Sequence, residues 1–473
     1  MKMASALPKA STPSAAHFAE RHPPSAICHH PSAIGHQPSA ISHLPSASSY
    51  NQAVTFIRLF YHPALPREYR ANFTHLYLDI GWFGVLSGSA INFLNIYAAR
   101  LGATGFQIGL LGAMTALVSL TCAIPAGRWL ERRPVSKAVF WTSVFYRLGF
   151  LLWIPLPWLF GNQAQIWALI GITLLMGIPL TALSVGFNAL FAEAVPAEWR
   201  AYVMGIRNVV LSVAFILTSF GSGYLLERLP FPLGYQIVFG IGTFGAAMSS
   251  LHLYFVRPLP QAASKADSLL PQPVSKTEQP SARRSWRAAL RADIWQTSFR
   301  APLLVLLAFH LAQFLAIPLF PLYFVHQLKL TDQQIGIGTA LFYLSVLLGS
   351  TQLARLTRRL GHHKMTGLGA LGLCLYPSLL ALSRHAGGYY FVSALGGFTW
   401  AMFSGASPNY LLEKIPASDR PAHLAWYNII LNAAVLAGSL AGPLLAREIG
   451  VGAALILIGV LRLLSGIAIL KWG

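Results

Sequence analysis

Twelve apolar stretches, each long enough to cross a bilayer, follow one another from residue 72 to the end of the sequence. About 20 helical residues cross the ~30 Å hydrocarbon core of a membrane. The pattern therefore predicts an all-α polytopic membrane protein with twelve transmembrane helices. The predicted spans are 73–98, 106–127, 138–160, 164–191, 201–225, 234–256, 301–325, 334–355, 364–384, 388–412, 421–446 and 450–471.

The composition excludes a soluble protein. Charged residues make up only 10% of the 473-residue chain and hydrophobic residues make up 55%, whereas about 25% of a soluble domain is charged. No nucleotide-binding glycine loop, metal-ligand spacing or nucleophile motif is present. Three cysteines are too few and too scattered for a disulfide framework or a zinc site. We expect no enzymatic activity, cofactor or bound metal.

A different composition marks residues 1–69. A heptapeptide containing His, Pro, Ser and Ala repeats four times between His22 and Ser49, and a proline in every unit rules out a coiled coil. Two interpretations remain: a histidine-rich metal-binding arm, or a disordered tail translated from a repetitive stretch upstream of the true start. We predict the disordered tail.

The net charge of +20 is concentrated in some of the loops between the predicted spans. Nineteen Lys and Arg residues fall on one side of the membrane, including those of 128–137, 355–364 and the basic linker 257–300, against five on the other side. The richer side is expected to be cytoplasmic. This predicts an inner-membrane protein with both termini in the cytoplasm, whose basic loops contact anionic lipid headgroups rather than nucleic acid.

The two halves of the sequence, 70–256 and 301–473, repeat each other. Gln107-Ile108-Gly109 recurs as Gln334-Ile335-Gly336, an offset of 227, with Thr104 and Thr331 at the same offset. Further on, the stretch 193–200 recurs as 413–420, and Asn208 and Asn428 keep that offset of 220. Two blocks in the same order at corresponding loops indicate a duplicated six-helix unit.

The stretch from Gly127 to Lys137 resembles the loop between helices 2 and 3 of the major facilitator superfamily, with Glu131 in place of an aspartate and Pro134 where a glycine is expected. The resemblance covers roughly residues 70–471. It implies two pseudo-symmetric six-helix bundles that bind a small-molecule substrate between them near the midplane and work by alternating access. We expect a monomer in the lipid bilayer.

The same resemblance implies a set of gating residues on the cytoplasmic side. It places Glu131 near the start of helix 11, pairs Arg132 with Glu193, and pairs Arg359 with Glu413, which would favour the state closed to the cytoplasm. The alternative is a solvated, positive-inside loop. The gating candidates are Gly127, Glu131, Arg132, Glu193, Arg200, Arg358, Arg359, Glu413 and Arg420.

Ionisable residues inside the membrane are rare and costly unless paired. Asp79 in helix 1 and Arg147 in helix 3 lie at similar depth, so we predict that they approach each other. Asp79 is then either a proton carrier, as the resemblance to proton-coupled members implies, or half of a static ion pair. His310 in helix 7 is either a hydrogen-bonded packing residue or a proton relay.

Other polar and aromatic side chains at helical depth are candidates for a substrate cavity. Arg207 and Asn208 lie near the cytoplasmic end of helix 5, where an arginine can extend to the interface. We therefore favour a gating role for them over a role in binding substrate. Gly438 and Gly442 resemble a motif that antiporters of the family carry in helix 5, but they lie in helix 11, and small residues four apart more often indicate close helix packing. The cavity candidates are Asn92, Asn95, Asn188, Asn208, Gln313, Tyr343, Trp400, Asn409, Asn428 and Asn432.

Three functions fit these features. The first is efflux of small amphipathic compounds by exchange for protons, suggested by Asp79 and the scarcity of cavity charges. The second is uptake of a polar solute such as a sugar, whose hydroxyls the cavity asparagines would bind. The third is a non-transporting membrane sensor built on a transporter fold, which would need an added signalling domain.

Overall fold

The computed structural model describes residues 67–259, 291–416 and 419–473. The heptapeptide repeats and most of the predicted linker 257–300 lie outside these residues. Residues 67–69, assigned above to the tail, already belong to the first helix.

Helices account for almost all of the described part of the first half. The first helix, α1, contains a central π-helical turn and consists of Arg67–Leu86, Ser87–Ile91 and Asn92–Arg100. The other helices of this half are α2 (Gly105–Glu131), α3 (Val135–Trp153), α4 (Asn162–Ala194), α5 (Ala197–Arg228) and α6 (Leu233–Phe255).

The second half follows the same plan. Helix α7 is again interrupted and consists of Arg300–Ala316, Leu319–Leu322 and the π-helical turn Tyr323–Gln327. Asp332–Gly372 holds α8 (332–360) and the beginning of α9, which continues through Leu375–Leu382. The remaining helices are α10 (Ala386–Glu413), α11 (Arg420–Ile449) and α12 (Val451–Trp472).

Each predicted span lies largely within an observed helix, and the all-α membrane fold is confirmed. Eight helical ranges within the described residues are long and apolar enough to cross a membrane, and one of them, Asp332–Leu382, contains two predicted spans. The number of twelve crossings stays a prediction.

The two basic loops are shorter than the sequence indicated. Helix α2 continues to Glu131 and α3 begins at Val135, so little of 128–137 is loop. In the second half the connection is reduced to a kink at Gly361, with φ +78° and ψ 162°. Hydropathy marks where an apolar stretch ends, but a helix can continue into water because its backbone hydrogen bonds are internal. The predicted boundaries were therefore wrong here.

Corresponding N-terminal caps begin α2 and α8. The Thr104 hydroxyl accepts a hydrogen bond from the Gln107 amide at 3.3 Å, and Thr331 accepts one from Gln334 at 3.3 Å. In both caps the glutamine side chain accepts from the threonine backbone N–H in return. These reciprocal bonds satisfy the free amides of a helix start. The repeated sequence thus encodes the same local structure twice.

The repeat also forms the contact between the halves. Gly109 of α2 lies against the backbone of Ser439 in α11, and Gly336 of α8 lies against Ser219 in α5. Ser219 and Ser439 are themselves 220 residues apart, the offset of the second repeat block. Equivalent glycines therefore fit against equivalent serines across the interface. The duplication is a structural one, with a pseudo-two-fold relation between the halves.

These contacts lie at one end of the helices. We call the side that carries 128–137 and 355–364 the basic face, and the side where α2 and α8 begin the opposite face. The glycine contacts of α2 and α8 with the other half lie in their first two turns, at the opposite face, and further along α8 the ring of Tyr343 packs on Phe215 of α5 with centroids 3.9 Å apart. Toward the basic face, Asn208, Ser350 and Asn428 are exposed. The halves thus meet at the opposite face, and the space between them opens to the basic face.

Candidate functional site

A buried charge cluster occupies the first half. Its centre is Asp79 in α1, whose carboxylate lies 3.7 Å from an Nη of Arg147 in α3 and 3.2 Å from an Nη of Arg207 in α5. Ser249 of α6 donates a hydrogen bond to the same carboxylate at 2.5 Å. All three charged side chains are nearly excluded from solvent. One carboxylate therefore joins four helices of this half.

Further Nη donors of the two arginines are also engaged, whereas Nε of Arg147 is buried without a hydrogen-bond partner among the described residues. Arg147 donates to the hydroxyls of Ser249 and Ser250, each at 2.7 Å, and Arg207 donates to the backbone carbonyl of Leu76 at 2.5 Å. Charged groups buried in low dielectric persist when they are paired and hydrogen-bonded in this way. The cluster has the features of a structural ion-pair network.

The approach of Asp79 and Arg147 is present as the sequence indicated, whereas the prediction for Arg207 was wrong. Arg207 does not extend to the interface but turns inward, where its guanidinium lies 4.8 Å from the ring centroid of Phe187. The carboxylate of Asp79 and the ring of Phe187 both stabilise the Arg207 guanidinium in this buried position, so the guanidinium does not need to reach water. The spacing of Asp79 and Arg207 along the chain gave no sign of this pairing.

A cavity of about 620 Å³ lies within the second half. All six of its helices contribute lining residues, many of them aromatic. Two basic side chains, His310 and Arg462, line it together with Gln313, Tyr343 and Trp400, and no Asp or Glu is present in the lining. The cavity thus combines apolar walls with positive charge.

Arg462 of α12 is the residue that the sequence interpretation missed. Its side chain is 1% exposed, and its Nη groups donate to the carbonyls of Leu373 at 3.1 Å and Gln313 at 3.2 Å. Among the described residues no carboxylate lies within 4.0 Å of it, and its Nε has no hydrogen-bond partner. An arginine in the middle of an apolar 22-residue helix was the signal that could have revealed it.

His310 and Gln313 differ in how their polar atoms are used. The Nε2 of His310 lies 3.1 Å from the hydroxyl of Tyr427 in α11. The side-chain oxygen of Gln313 is buried without a hydrogen-bond partner among the described residues. The histidine contact matches the hydrogen-bonded packing interpretation, and the glutamine retains a free polar atom at the cavity.

The cavity candidates of the sequence divide into two groups. Gln313, Tyr343 and Trp400 line the cavity of the second half. The other candidates lie outside this cavity: Asn92 donates to Ser219 at 3.1 Å, Asn432 donates to the carbonyl of Asn428 at 2.9 Å, Asn95 is half-buried, and Asn188, Asn208, Asn409 and Asn428 are exposed. Asn208 and Asn428 lie toward the open space between the halves, and a substrate role for these candidates stays a prediction. Polarity at helical depth does not by itself determine which side of a helix faces the cavity.

The expected ion pairs of the gate are not formed in this structure. Arg132 and Arg359 are exposed and do not pair with Glu193 and Glu413. Glu413 instead lies 2.6 Å from Nδ1 of His362. These pairs were expected to favour closure of the cytoplasmic side, whereas here the basic face is open.

Among the described residues, the other gating candidates form no ion pair. Arg200 donates to the carbonyls of Ala192 and Val195 at 2.8 and 3.1 Å, which satisfies the end of α4. Gly127 lies within α2, and a Cβ added to it would meet no atom within 4 Å. Glu131, Arg358 and Arg420 are exposed. Their gating roles stay predictions.

An ion pair that the sequence did not reveal joins the halves at the opposite face. Arg100, at the end of α1, lies 3.1 Å from Asp332, the first residue of α8, and donates to the carbonyl of Leu330 at 2.7 Å. Arg100 lies just outside the predicted span 73–98, and nothing in its sequence neighbourhood indicates a partner. This pair adds a polar contact to the glycine-mediated seal.

Comparison with known proteins matches this architecture. The family model of the Major Facilitator Superfamily matches residues 80–310 and 302–473. The cis,cis-muconate transport protein of Acinetobacter baylyi is 22% identical over 295 residues, which cover 61% of this chain and 68% of that protein.

Solved structures show the same fold. A D-xylose-proton symporter superposes with a TM-score of 0.64 at 14% identity, covering 85% of this chain and 97% of its own. A bacterial homologue of the iron transporter ferroportin, in an inward-facing state, gives 0.63 at 14% identity, with 85% and 98% covered. The nucleoside transporter NupG gives 0.57 at 13% identity, with 85% and 98% covered.

The family match spans both halves. A protein that moves a solute by alternating access needs two related halves that are closed at one face and open at the other, as they are here. The chain belongs to the Major Facilitator Superfamily and is a membrane transporter.

Proposed function

We propose that this protein is a secondary transporter that moves a small polar or charged organic solute by alternating access, seen here open to the basic face. The duplicated seal carries the proposal: Gly109 against Ser439 and Gly336 against Ser219 close the opposite face by close packing. Contacts between backbones and small residues separate with little loss of side-chain burial, which suits halves that rock against each other.

A polar or charged solute fits the geometry better than an amphipathic one. Proton-coupled efflux of amphipathic compounds was suggested by Asp79 as proton carrier and by a cavity without charge. Asp79 is held by two guanidinium groups and a hydroxyl, and Arg462 brings a charge to the cavity. The similarity to a protein named for transport of cis,cis-muconate also supports a small organic solute. Direction would then follow the gradients of the solute and any coupled ion.

We also propose that the basic face is cytoplasmic, in the inner membrane, as the excess of Lys and Arg suggests. In that orientation the structure is the inward-facing state, with the solute released toward the cytoplasm in uptake or admitted from it in efflux.

A reversible disulfide across the seal tests alternating access. A Cβ built on Gly112 lies 3.9 Å from the Cβ of Ser439, within the range for disulfides. The pair G112C/S439C, in a background with Cys28, Cys122 and Cys374 replaced by serine, should lock α2 to α11 when oxidised. We expect hydrogen–deuterium exchange of 105–112 to fall on oxidation and to recover on reduction.

Flux in proteoliposomes provides the second readout, with cis,cis-muconate, xylose and uridine as probes. The oxidised pair should stop the flux of any solute that the reduced pair carries, while each single variant should be unaffected by oxidant. Unchanged exchange of 105–112 on oxidation, with the disulfide verified by mass spectrometry, would contradict the proposal.

A further inference from the structure

We propose that the cavity of the second half binds an organic anion, with a carboxylate held by Arg462 and an unsaturated or aromatic body held against the ring-lined walls. The inference rests on the proposed transport function and specifies its substrate class. It follows from a comparison of how the two halves neutralise their buried arginines.

The first half supplies its own counter-charge. Asp79 lies within 4 Å of both Arg147 and Arg207. In the second half Arg462 is buried to the same degree, but its partners are two backbone carbonyls, from Leu373 and Gln313. Carbonyl dipoles solvate a guanidinium without cancelling its charge, so Arg462 leaves the cavity with a net positive charge.

Arg462 also retains donors for a ligand. A guanidinium has five N–H groups, and the two hydrogen bonds to Leu373 and Gln313 use two of them. The Nε of Arg462 is buried without a partner among the described residues, as is that of Arg147, but of the two arginines only Arg462 lines this cavity and lacks a carboxylate partner. A planar fork of free N–H groups matches the geometry of a carboxylate, which binds arginine through two parallel hydrogen bonds.

The rest of the lining favours a flat organic body over a bare inorganic anion. The volume of about 620 Å³ is within the range of sites for small organic ligands, roughly 300–1,000 Å³. Rings of Tyr343, Trp400, Phe403 and Tyr427 form part of the wall. Aromatic walls stack on flat unsaturated groups and offer little to a hydrated anion such as sulfate.

No Asp or Glu lines the cavity, so no carboxylate of the protein competes for Arg462 there. The lining also contains the imidazole of His310, which is a base and not an acid. A cationic solute would meet like charge in this cavity, and a neutral sugar would leave the guanidinium uncompensated. The charge of the site therefore selects anions, because an uncompensated buried charge is costly until a counter-ion arrives.

Binding of matched probes to the purified, detergent-solubilised protein tests the inference. Benzoate and benzamide share a ring but differ in charge, and cis,cis-muconate adds a second carboxylate on an unsaturated chain. We expect calorimetry to show benzoate and cis,cis-muconate binding at least about tenfold more tightly than benzamide. Equal affinity for benzoate and benzamide, or no binding of either carboxylate, would overturn the proposal.

Variants of the site then assign the binding to Arg462. Arg462→Gln should weaken carboxylate binding by roughly 30-fold or more, and Arg462→Lys should restore part of it. Arg447→Gln, an exposed arginine at the end of α11, is the matched control and should bind as the unmodified protein does. Carboxylate affinity that is unchanged in a folded Arg462→Gln protein would contradict the assignment.

A second variant covers the case in which Arg462→Gln does not fold, since Arg462 holds α12 to α7 and α9. Gln313→Glu places a carboxylate on the residue whose carbonyl already contacts Arg462. It should keep the melting temperature and abolish carboxylate binding. Retained binding would count against the inference.

The outcomes for the two proposals are separable. If carboxylates bind through Arg462 but the G112C/S439C disulfide leaves exchange unchanged, alternating access fails and the anion site stands. If the lock works and carboxylates do not bind, the anion site fails and alternating access stands.

Discussion

Asp79 and Arg462 show that a buried charge in this protein has to be interpreted from its neighbours. Asp79 is flanked by two arginines and a serine hydroxyl and serves to hold helices together. The side chain of Arg462 has only backbone carbonyls as hydrogen-bond partners, and we proposed above that it binds an anionic ligand. From the sequence, each is an ionisable residue in an apolar helix, and only their surroundings separate the two roles.

The charge cluster predicts the effect of Asp79→Asn. Removing the carboxylate leaves two buried guanidinium groups without a counter-charge, which should lower stability by about 3–5 kcal/mol. Thermal unfolding in detergent measures this loss. Asp293→Asn, an exposed aspartate paired with Arg291, is the control and should leave the melting temperature unchanged. An Asp79→Asn protein that melts normally but loses proton-dependent flux would instead identify Asp79 as a proton carrier.

A glycine at the turn between α8 and α9 carries a second prediction. Gly361 has φ +78° and ψ 162°, a region of backbone space that is essentially restricted to glycine. Gly361→Ala should therefore destabilise the protein by about 1–3 kcal/mol. The control change Gly127→Ala, near the end of α2 where the backbone is helical and the space is open, should be neutral or slightly stabilising. Equal melting temperatures for both would exclude strain at Gly361.

At the scale of helices, the halves are joined through small residues at the beginning of α2 and α8. The Gln-Ile-Gly repeat was predicted only to mark a duplicated unit, and the structure adds that both of its glycines pack against the backbone of the other half. The reason is steric: a side chain on either glycine would collide with the backbone of the facing helix. Gly438 and Gly442 also allow close packing, against Phe314 and Leu315 of α7. This agrees with the helix-packing interpretation of these two glycines.

Two glycines of α5 allow a matched test of this seal. A Cβ on Gly223 would lie 3.0 Å from the carbonyl oxygen of Asp332 and 3.2 Å from the Cα of Gly336, whereas a Cβ on Gly221 would meet no atom within 4 Å. Gly223→Ala should separate α5 from α8 at a cost of about 1–3 kcal/mol and raise hydrogen–deuterium exchange of 332–339. Gly221→Ala should leave this exchange unchanged. The same exchange in both variants would argue that the seal lies elsewhere.

At the scale of the whole molecule, the two faces differ in both charge and packing. The opposite face is closed by the glycine contacts and by the Arg100–Asp332 pair. The basic face is open, and its expected Arg–Glu pairs are absent in this conformation. Closure of the basic face would bring 128–137 and 355–364 closer together. The Arg–Glu pairs were predicted for that closed state.

The orientation of the faces is testable by chemical labelling. Arg133→Cys lies on the basic face and Arg384→Cys on the opposite face, and both native side chains are exposed. Both variants are made in a form of the protein whose native cysteines are replaced by serine. In intact spheroplasts, a membrane-impermeant maleimide should label Arg384→Cys. It should label Arg133→Cys only after permeabilisation. The reverse pattern would invert the proposed topology.

Much of this architecture could be predicted from the sequence because its causes are local or repeated. Apolar length determines where helices cross, loop charge indicates a face, and a duplicated motif such as Gln107-Ile108-Gly109 implies a duplicated structure. The capping boxes at Thr104 and Thr331 are likewise encoded within four residues. None of these features requires knowledge of which helix neighbours which.

The chemistry of the interior was decided by tertiary structure. The Arg207 side chain pairs with Asp79 from 128 residues away, and the Arg462 guanidinium reaches α7 and α9 while no carboxylate reaches it. The sequence determined that these charges are buried in an apolar chain, but the rotation and packing of the helices decided which were neutralised and which were left for a ligand. Electrostatic energy in a low-dielectric interior depends on distances of a few ångströms, and helix packing alone sets those distances.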